Sequence, residues 1–153
     1  EIIEKAAAEQ VEITLVFSYI REYMLDYITE LLDEINRWCE EKRQSVEIVV
    51  NDWGMASLVK KSRRNLIPSL GILLNKRRKD PRIPFKKGEQ KWFERNSLNA
   101  GFYRNFLERE YGIQRFEWES CGYEQQIPPG KNSLHIPFYQ TNTSQYCPLG
   151  AVC

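Results

Sequence analysis

The amino-acid sequence predicts an α/β fold of parallel-stranded βα units, arranged as a partial or complete TIM-barrel-like sheet. Three observations carry this reading. Runs rich in Val, Ile and Leu recur as VEITLVF at Val11 to Phe17, VEIVV at Val46 to Val50 and IPSLGILL at Ile67 to Leu74. Longer stretches with apolar residues at helical spacing separate the strands, which implies parallel pairing through crossovers. The 153 residues suffice for one domain with its own core, whereas a complete barrel takes about 250. A single α/β domain over residues 1 to 153 is therefore expected, either as an open doubly wound sheet or as a fragment of a longer barrel protein. The start at Glu1 without methionine fits the excerpt.

The first unit joins the Val11 to Phe17 strand to a helix from Ile20 to Arg43. Ile20, Met24, Tyr27, Ile28, Leu31, Ile35, Trp38 and Cys39 share its apolar stripe, while Glu30, Asp33, Glu34, Arg37, Glu40 and Glu41 fall largely off it. Cys39 on that stripe reads as a small buried hydrophobe. Val46 to Val50 is the second strand, and Asp52 behind it is placed to cap a short helix from Trp53 to Arg63. The third strand, Ile67 to Leu74, closes at Asn75, with Pro68 tolerable only near its start. A basic, proline-containing loop from Lys76 to about Asn96 leads to an amphipathic helix, Ser97 to Tyr111, which Gly112 ends. In the fourth strand, Gln114 to Glu119, Phe116 and Trp118 alternate with Glu117 and Glu119. A turn at Pro128-Pro129-Gly130 precedes a last short strand, Leu134 to Tyr139.

Composition limits the function classes. At 42% hydrophobic and 28% charged residues the chain is neither disordered nor a membrane protein, and no apolar run approaches the roughly 18 residues of a spanning helix. No signal peptide is visible, so a cytoplasmic protein is expected. A net charge of +1 leaves no global field for nucleic acid, so an electrostatic partner must meet a patch. The cluster Lys76, Arg77, Arg78, Lys79 and Arg82, with Lys86 and Lys87 behind it and Trp92 and Phe93 nearby, is such a patch for RNA phosphates, or simply a solvated loop. No nucleophile elbow, zinc-protease helix, phosphate loop or dinucleotide fingerprint occurs. The edges of a sheet of four or five βα units predict a homo-oligomer or a partner chain.

Three of the four cysteines, Cys121, Cys147 and Cys153, fall in the last thirty-three residues. In a reducing compartment such a cluster points to a metal site or redox centre more than to disulfides. Twenty-five and then five residues separate them, which is not the paired spacing of a zinc ribbon. Soft sulfur donors suit an iron–sulfur cluster, or zinc with His135 as a fourth ligand. Asn51, Asp52 and Asn75 stand where parallel strands end, the usual place for ligands in such sheets, although Asp52 before a helix also serves as a plain cap. Glu117 and Glu119 share one strand face. In a barrel they form a lumenal carboxylate pair for acid–base or metal chemistry, and on an edge strand they are solvated.

The run VVNDWGM at Val49 to Met55, then LGILLNKRRKDPRI at Leu70 to Ile83, RFEWE at Arg115 to Glu119 and LHIPFYQTNTSQYC at Leu134 to Cys147, resembles segments of the U32 peptidase-like family in the same order. The resemblance covers about residues 46 to 153, and the first 45 match by secondary-structure pattern alone. It implies a barrel-like α/β fold. The family includes collagenase-type peptidases and proteins of oxygen-independent ubiquinone or RNA hydroxylation, in which cysteines hold an iron–sulfur cluster. Cys147 matches a family cysteine best, Cys121 and Cys153 less well, and the fourth family cysteine has no counterpart. The resemblance thus implies redox or hydroxylation-type chemistry on a C-terminal cluster, with a peptidase or a non-catalytic partner module with structural cysteines as alternatives.

Overall fold

In the computed structural model every strand pairs parallel to its neighbour in the chain, giving one curled five-stranded sheet in the order β1-β2-β3-β4-β5. The structure describes residues 2–61, 63–76, 87, 94–121 and 123–137. The strands are β1 (Thr14–Val16), β2 (Val46–Val50), β3 (Leu66–Leu70), β4 (Arg115–Glu119) and β5 (Lys131–His135). The described α-helices are α1 (Ile2–Ala8), α2 (Leu25–Lys42), α3 (Trp53–Lys60) and α4 (Gly101–Tyr111), with single 3-10 turns at Glu22–Met24 and Ser97–Asn99. Parallel strands in sequential order, with helices between β1 and β2, β2 and β3, and β3 and β4, are the half-barrel form of the α/β class the sequence predicts. Among the described residues no helix is long and apolar enough to cross a membrane.

One face of the sheet carries the core. Val46, Ile48 and Val50 of β2, Leu66 and Leu70 of β3, and Phe116 and Trp118 of β4 pack against Leu32, Ile35 and Cys39 of α2, Met55 and Val59 of α3, and Leu107 of α4. Alternation along each strand dictates this, because only every second side chain reaches the helices. Leu32 and Trp118 are fully buried, and a buried side chain of this size stabilises by about 1.5–3 kcal/mol. Cys39 is core, as its place on the stripe predicts, but Leu32, which the stripe omitted, is fully buried and Tyr27, which it included, is 60% exposed. The helical layer stops short of β5. No helix is described between β4 and β5, and Leu134 on the helical side is exposed.

Several boundaries differ from the sequence reading. The Val11 to Phe17 strand shrinks to Thr14–Val16, although Ile13 O and Phe17 N still bond to β2. The helix expected from Ile20 starts at Leu25, after the 3-10 turn, and ends where Arg43 turns left-handed at φ 54°. The third strand stops at Leu70 because Leu74 N and Asn75 N both return to Gly71 O in a turn. Pro68 sits mid-strand. Asn65 O and Gly71 N both bond to β2, so the even-numbered backbone groups of β3 face β4, and there Pro68 has no N–H to give. The β3–β4 ladder is accordingly reduced to the pair Leu70↔Phe116, supplemented by Ser69 Oγ donating to Arg115 O at 3.2 Å.

The short helix ends at Lys60, not Arg63. Arg63 instead folds back, buried, donating through Nη1 to Leu58 O and pairing with Asp33 at 2.8 Å, which satisfies carbonyls at the helix end. The fourth strand begins at Arg115 rather than Gln114. The last described strand, Lys131–His135, begins before the expected start at Leu134 and recruits the polar residues Lys131, Asn132 and Ser133, while Phe138 and Tyr139 of the expected Leu134 to Tyr139 strand lie outside the described residues. Apolar content misleads there because backbone pairing with β4 and two side-chain bonds hold the strand, Trp118 Nε1 to Asn132 Oδ1 at 2.7 Å and Arg115 Nε to Ser133 Oγ at 3.1 Å. The helix from Ser97 divides into the 3-10 turn and α4, with Gly112 at φ 71° ending it as expected.

Candidate functional site

The carboxyl ends of the strands are tied together by the polar residues that follow them. Asn51, just past β2, donates from Nδ2 to Phe17 O at 2.9 Å and accepts at Oδ1 from Leu73 N at 3.2 Å. One buried amide thus joins the ends of β1, β2 and β3. The approach is close enough that a Cβ on Gly71 would lie 2.2 Å from Asn51 Oδ1, so glycine is required. Asp52 caps α3 as expected, accepting at Oδ1 from Met55 N at 2.7 Å, and its Oδ2 accepts from Ile20 N at 3.3 Å. Both carboxylate oxygens therefore serve backbone N–H groups.

Asn75 reaches across to β4. Its Nδ2 donates to Glu117 O at 3.0 Å, and its buried Oδ1 has no partner among the described residues. Glu117 and Glu119 share the face opposite Phe116 and Trp118, as the alternation predicts. They are buried, at 6% and 3% exposure, because β4 lies between β3 and β5, and the solvated edge-strand reading does not apply. Glu117 Oε2 lies 2.6 Å from His135 Nε2, with the glutamate side chain buried and the imidazole half-exposed. Glu119 stands in register with His135. Two residues beyond Glu119, Cys121 is a half-buried free thiol whose Sγ lies 3.1 Å from Tyr123 O.

The same face carries a second network toward the amino ends of the strands, which the sequence reading missed. Arg115 Nη1 meets Glu47 Oε2 at 2.7 Å, and Thr14 Oγ1 donates to that oxygen at 3.0 Å. Arg115 also donates to Ser133 Oγ, so its guanidinium links β2 to β5 across β3. A recess of about 300 Å³ lies there, lined by Glu12, Thr14, Glu47, Ile67, Arg115 and Lys131. A sequence signal existed: Glu47 and Arg115 are opposite charges at inward positions of strands whose other face is apolar.

Of the basic patch Lys76, directly after Asn75, and Lys87 are described, both exposed; Arg77, Arg78, Lys79 and Arg82 lie outside the described residues, as do Lys86, Trp92 and Phe93. Cys147 and Cys153 lie outside them too. Among the described residues no three of His, Cys, Asp and Glu are grouped to hold a metal ion, and the one candidate thiol described is Cys121. The described donors alone therefore do not make a cluster site. The structure brings Asn51, Asp52, Asn75, Glu117, Glu119, Cys121 and His135 to one end of one sheet, from segments separated by up to about 80 residues. No family model, curated protein or solved structure matches the chain.

Proposed function

We propose that the chain is part of a U32-like barrel protein whose working end is the carboxyl rim of the sheet, where the C-terminal cysteines bind an iron–sulfur cluster for redox or hydroxylation-type chemistry. One observation supports this most. The separate segments that carry the resemblance are hydrogen-bonded to one another: Asn51 of VVNDWGM accepts from Leu73 of LGILLN, and Asn75 of that segment donates to Glu117 of RFEWE. Residues joined in this way define one site at the end of a parallel sheet where such folds act. Cys121 extends it with a free thiol beside the rim. A bound cluster would supply electron transfer, and thiolates at Cys121, Cys147 and Cys153 would hold it. Exposed Lys76, directly after Asn75, begins the basic segment that the sequence offers to RNA phosphates as a contact.

Anaerobic purification of the full parent chain, with iron and sulfide analysis and a visible spectrum, tests the reading. Iron with charge-transfer absorption that Cys121→Ser removes is the expected result. Zinc in place of iron makes the site structural. Colourless, metal-free protein overturns the redox reading. The second reading is a non-catalytic module that completes its fold by pairing with a second chain, supported by β1 and β5 each pairing on one side only among the described residues. A monomer of the isolated chain in sedimentation removes that one.

A further inference from the structure

We infer that His135, held by Glu117, is a proton-accepting and nucleophilic centre at the rim, independent of any metal, for an uncharged or cationic substrate bearing a hydroxyl group, or for water. The geometry carries it. Glu117 is a buried carboxylate on a central strand, and His135 is a half-exposed imidazole on the strand beside it, 2.6 Å away through Nε2. The two are not direct register partners, since Glu117 stands opposite Ser133, and the contact is a diagonal one. Arg115 repeats the same diagonal toward Ser133 one step earlier, so the tilt of the sheet sets both.

A carboxylate accepts only, so a neutral imidazole beside it places its proton on Nε2 and leaves the lone pair on Nδ1. This is the arrangement in which an acid residue orients a histidine base, with the acceptor nitrogen turned away from its partner. The Glu117 side chain is buried and the His135 side chain is 53% exposed, so the carboxylate is held in the sheet while solvent reaches the imidazole. In the proton step an O–H proton of substrate or water moves to Nδ1, and the oxygen keeps the electron pair. The imidazolium so formed is stabilised by the Glu117 carboxylate. Glu117 and Glu119 both face this strand position, and two carboxylates disfavour an anionic group at the histidine itself.

His135 is the single histidine of the chain, which makes the test direct. In ¹⁵N-labelled full-length protein, a two-bond ¹H–¹⁵N correlation spectrum reports one imidazole, and the neutral form is expected with its proton on Nε2. Glu117→Gln replaces an acceptor-only partner with an amide that can also donate to Nε2, so the proton should no longer be fixed on Nε2 and Nδ1–H should gain population. Steady-state hydrolysis of 4-nitrophenyl acetate is the second readout. Nδ1 attacks the ester carbonyl, nitrophenolate leaves with its electron pair, and water releases acetate from the acyl-imidazole. His135→Gln should remove this turnover, and Glu117→Gln should lower it about tenfold or more while circular dichroism stays unchanged. A proton on Nδ1 in the unsubstituted protein, or equal turnover with Glu and Gln at position 117, overturns the proposal. If Glu117→Gln fails to fold, Glu117→Asp is the second variant: it keeps the charge, and turnover unchanged despite the shorter reach defeats the inference. Iron content enters neither readout, so loss of these signals and loss of a cluster are separate results.

Discussion

On the helix-covered face of the sheet, Ile48, Val50, Leu70, Phe116 and Trp118 form one apolar layer, whereas on the opposite face polar side chains meet in specific pairs: Thr14 and Arg115 with Glu47, Ser133 with Arg115, and His135 with Glu117. The same strands build both, one residue out of phase. Burial on the first face is non-directional and tolerates exchange of shape-matched side chains. Pairing on the second is directional, so its residues hold positions rather than volume. A face that spends buried carboxylates on oriented contacts is the one to expect chemistry from.

Breaking the apolar face should give the largest effect. Trp118→Ala removes a fully buried ring and its bond to Asn132, and urea denaturation should show a loss of about 3–5 kcal/mol. An effect below about 1 kcal/mol would mean that α2 to α4 do not pack on this face as described. Next comes the tie between the strand ends. Gly71→Ala should cost about 1–3 kcal/mol, because the new methyl meets Asn51 Oδ1. Adding Asn51→Ala should cost less than the two single losses combined, since the obstruction is gone, and strict additivity in the cycle would count against the contact.

Polar pairs on the open face should matter less to stability. A double-mutant cycle of Arg115→Met with Glu47→Gln should give a coupling of about 0.5–1 kcal/mol, smaller at high salt, because the arginine is about one-third exposed. Coupling that ignores salt would place the pair deeper than the geometry does. The smallest effect concerns Cys39. Burial first, and the nearby Glu40 charge after it, push its thiol above the ordinary value of 9.0, against a backbone hydrogen bond with Val46 that lowers it. The unfolded thiol then ionises first as pH rises. This contribution to stability is present below about pH 9 and is lost between the unfolded and folded values. Cys39→Val should flatten that alkaline slope, and an unchanged slope would assign it to other groups such as Tyr103, whose hydroxyl burial also raises.

Much of this architecture was legible in the residues. VEIVV with Asn51-Asp52 behind it reads as strand, stop and cap, and Asp52 does cap α3. Gly112 ends its helix, Cys39 is core, and Glu117 and Glu119 share a face, because hydrophobic period, turn residues and caps act within a few positions. Where the partner is distant, the reading fell short. Nothing local shows that KNSLH pairs with RFEWE, that Leu32 is buried while Tyr27 is exposed, or that Arg63 leaves α3 to bond Asp33.

Propensity and periodicity are local properties of the chain, and they set the class of fold, the alternation of strand and helix, and the residue types available for chemistry at strand ends. Assembly of the sheet makes β4 an interior strand with Glu117 and Glu119 buried, and its tilt against β5 sets Glu117 on His135. The physical reason is range: a carboxylate takes its partner from whichever strand lies beside it, and strand neighbourhood is settled by how the whole sheet packs.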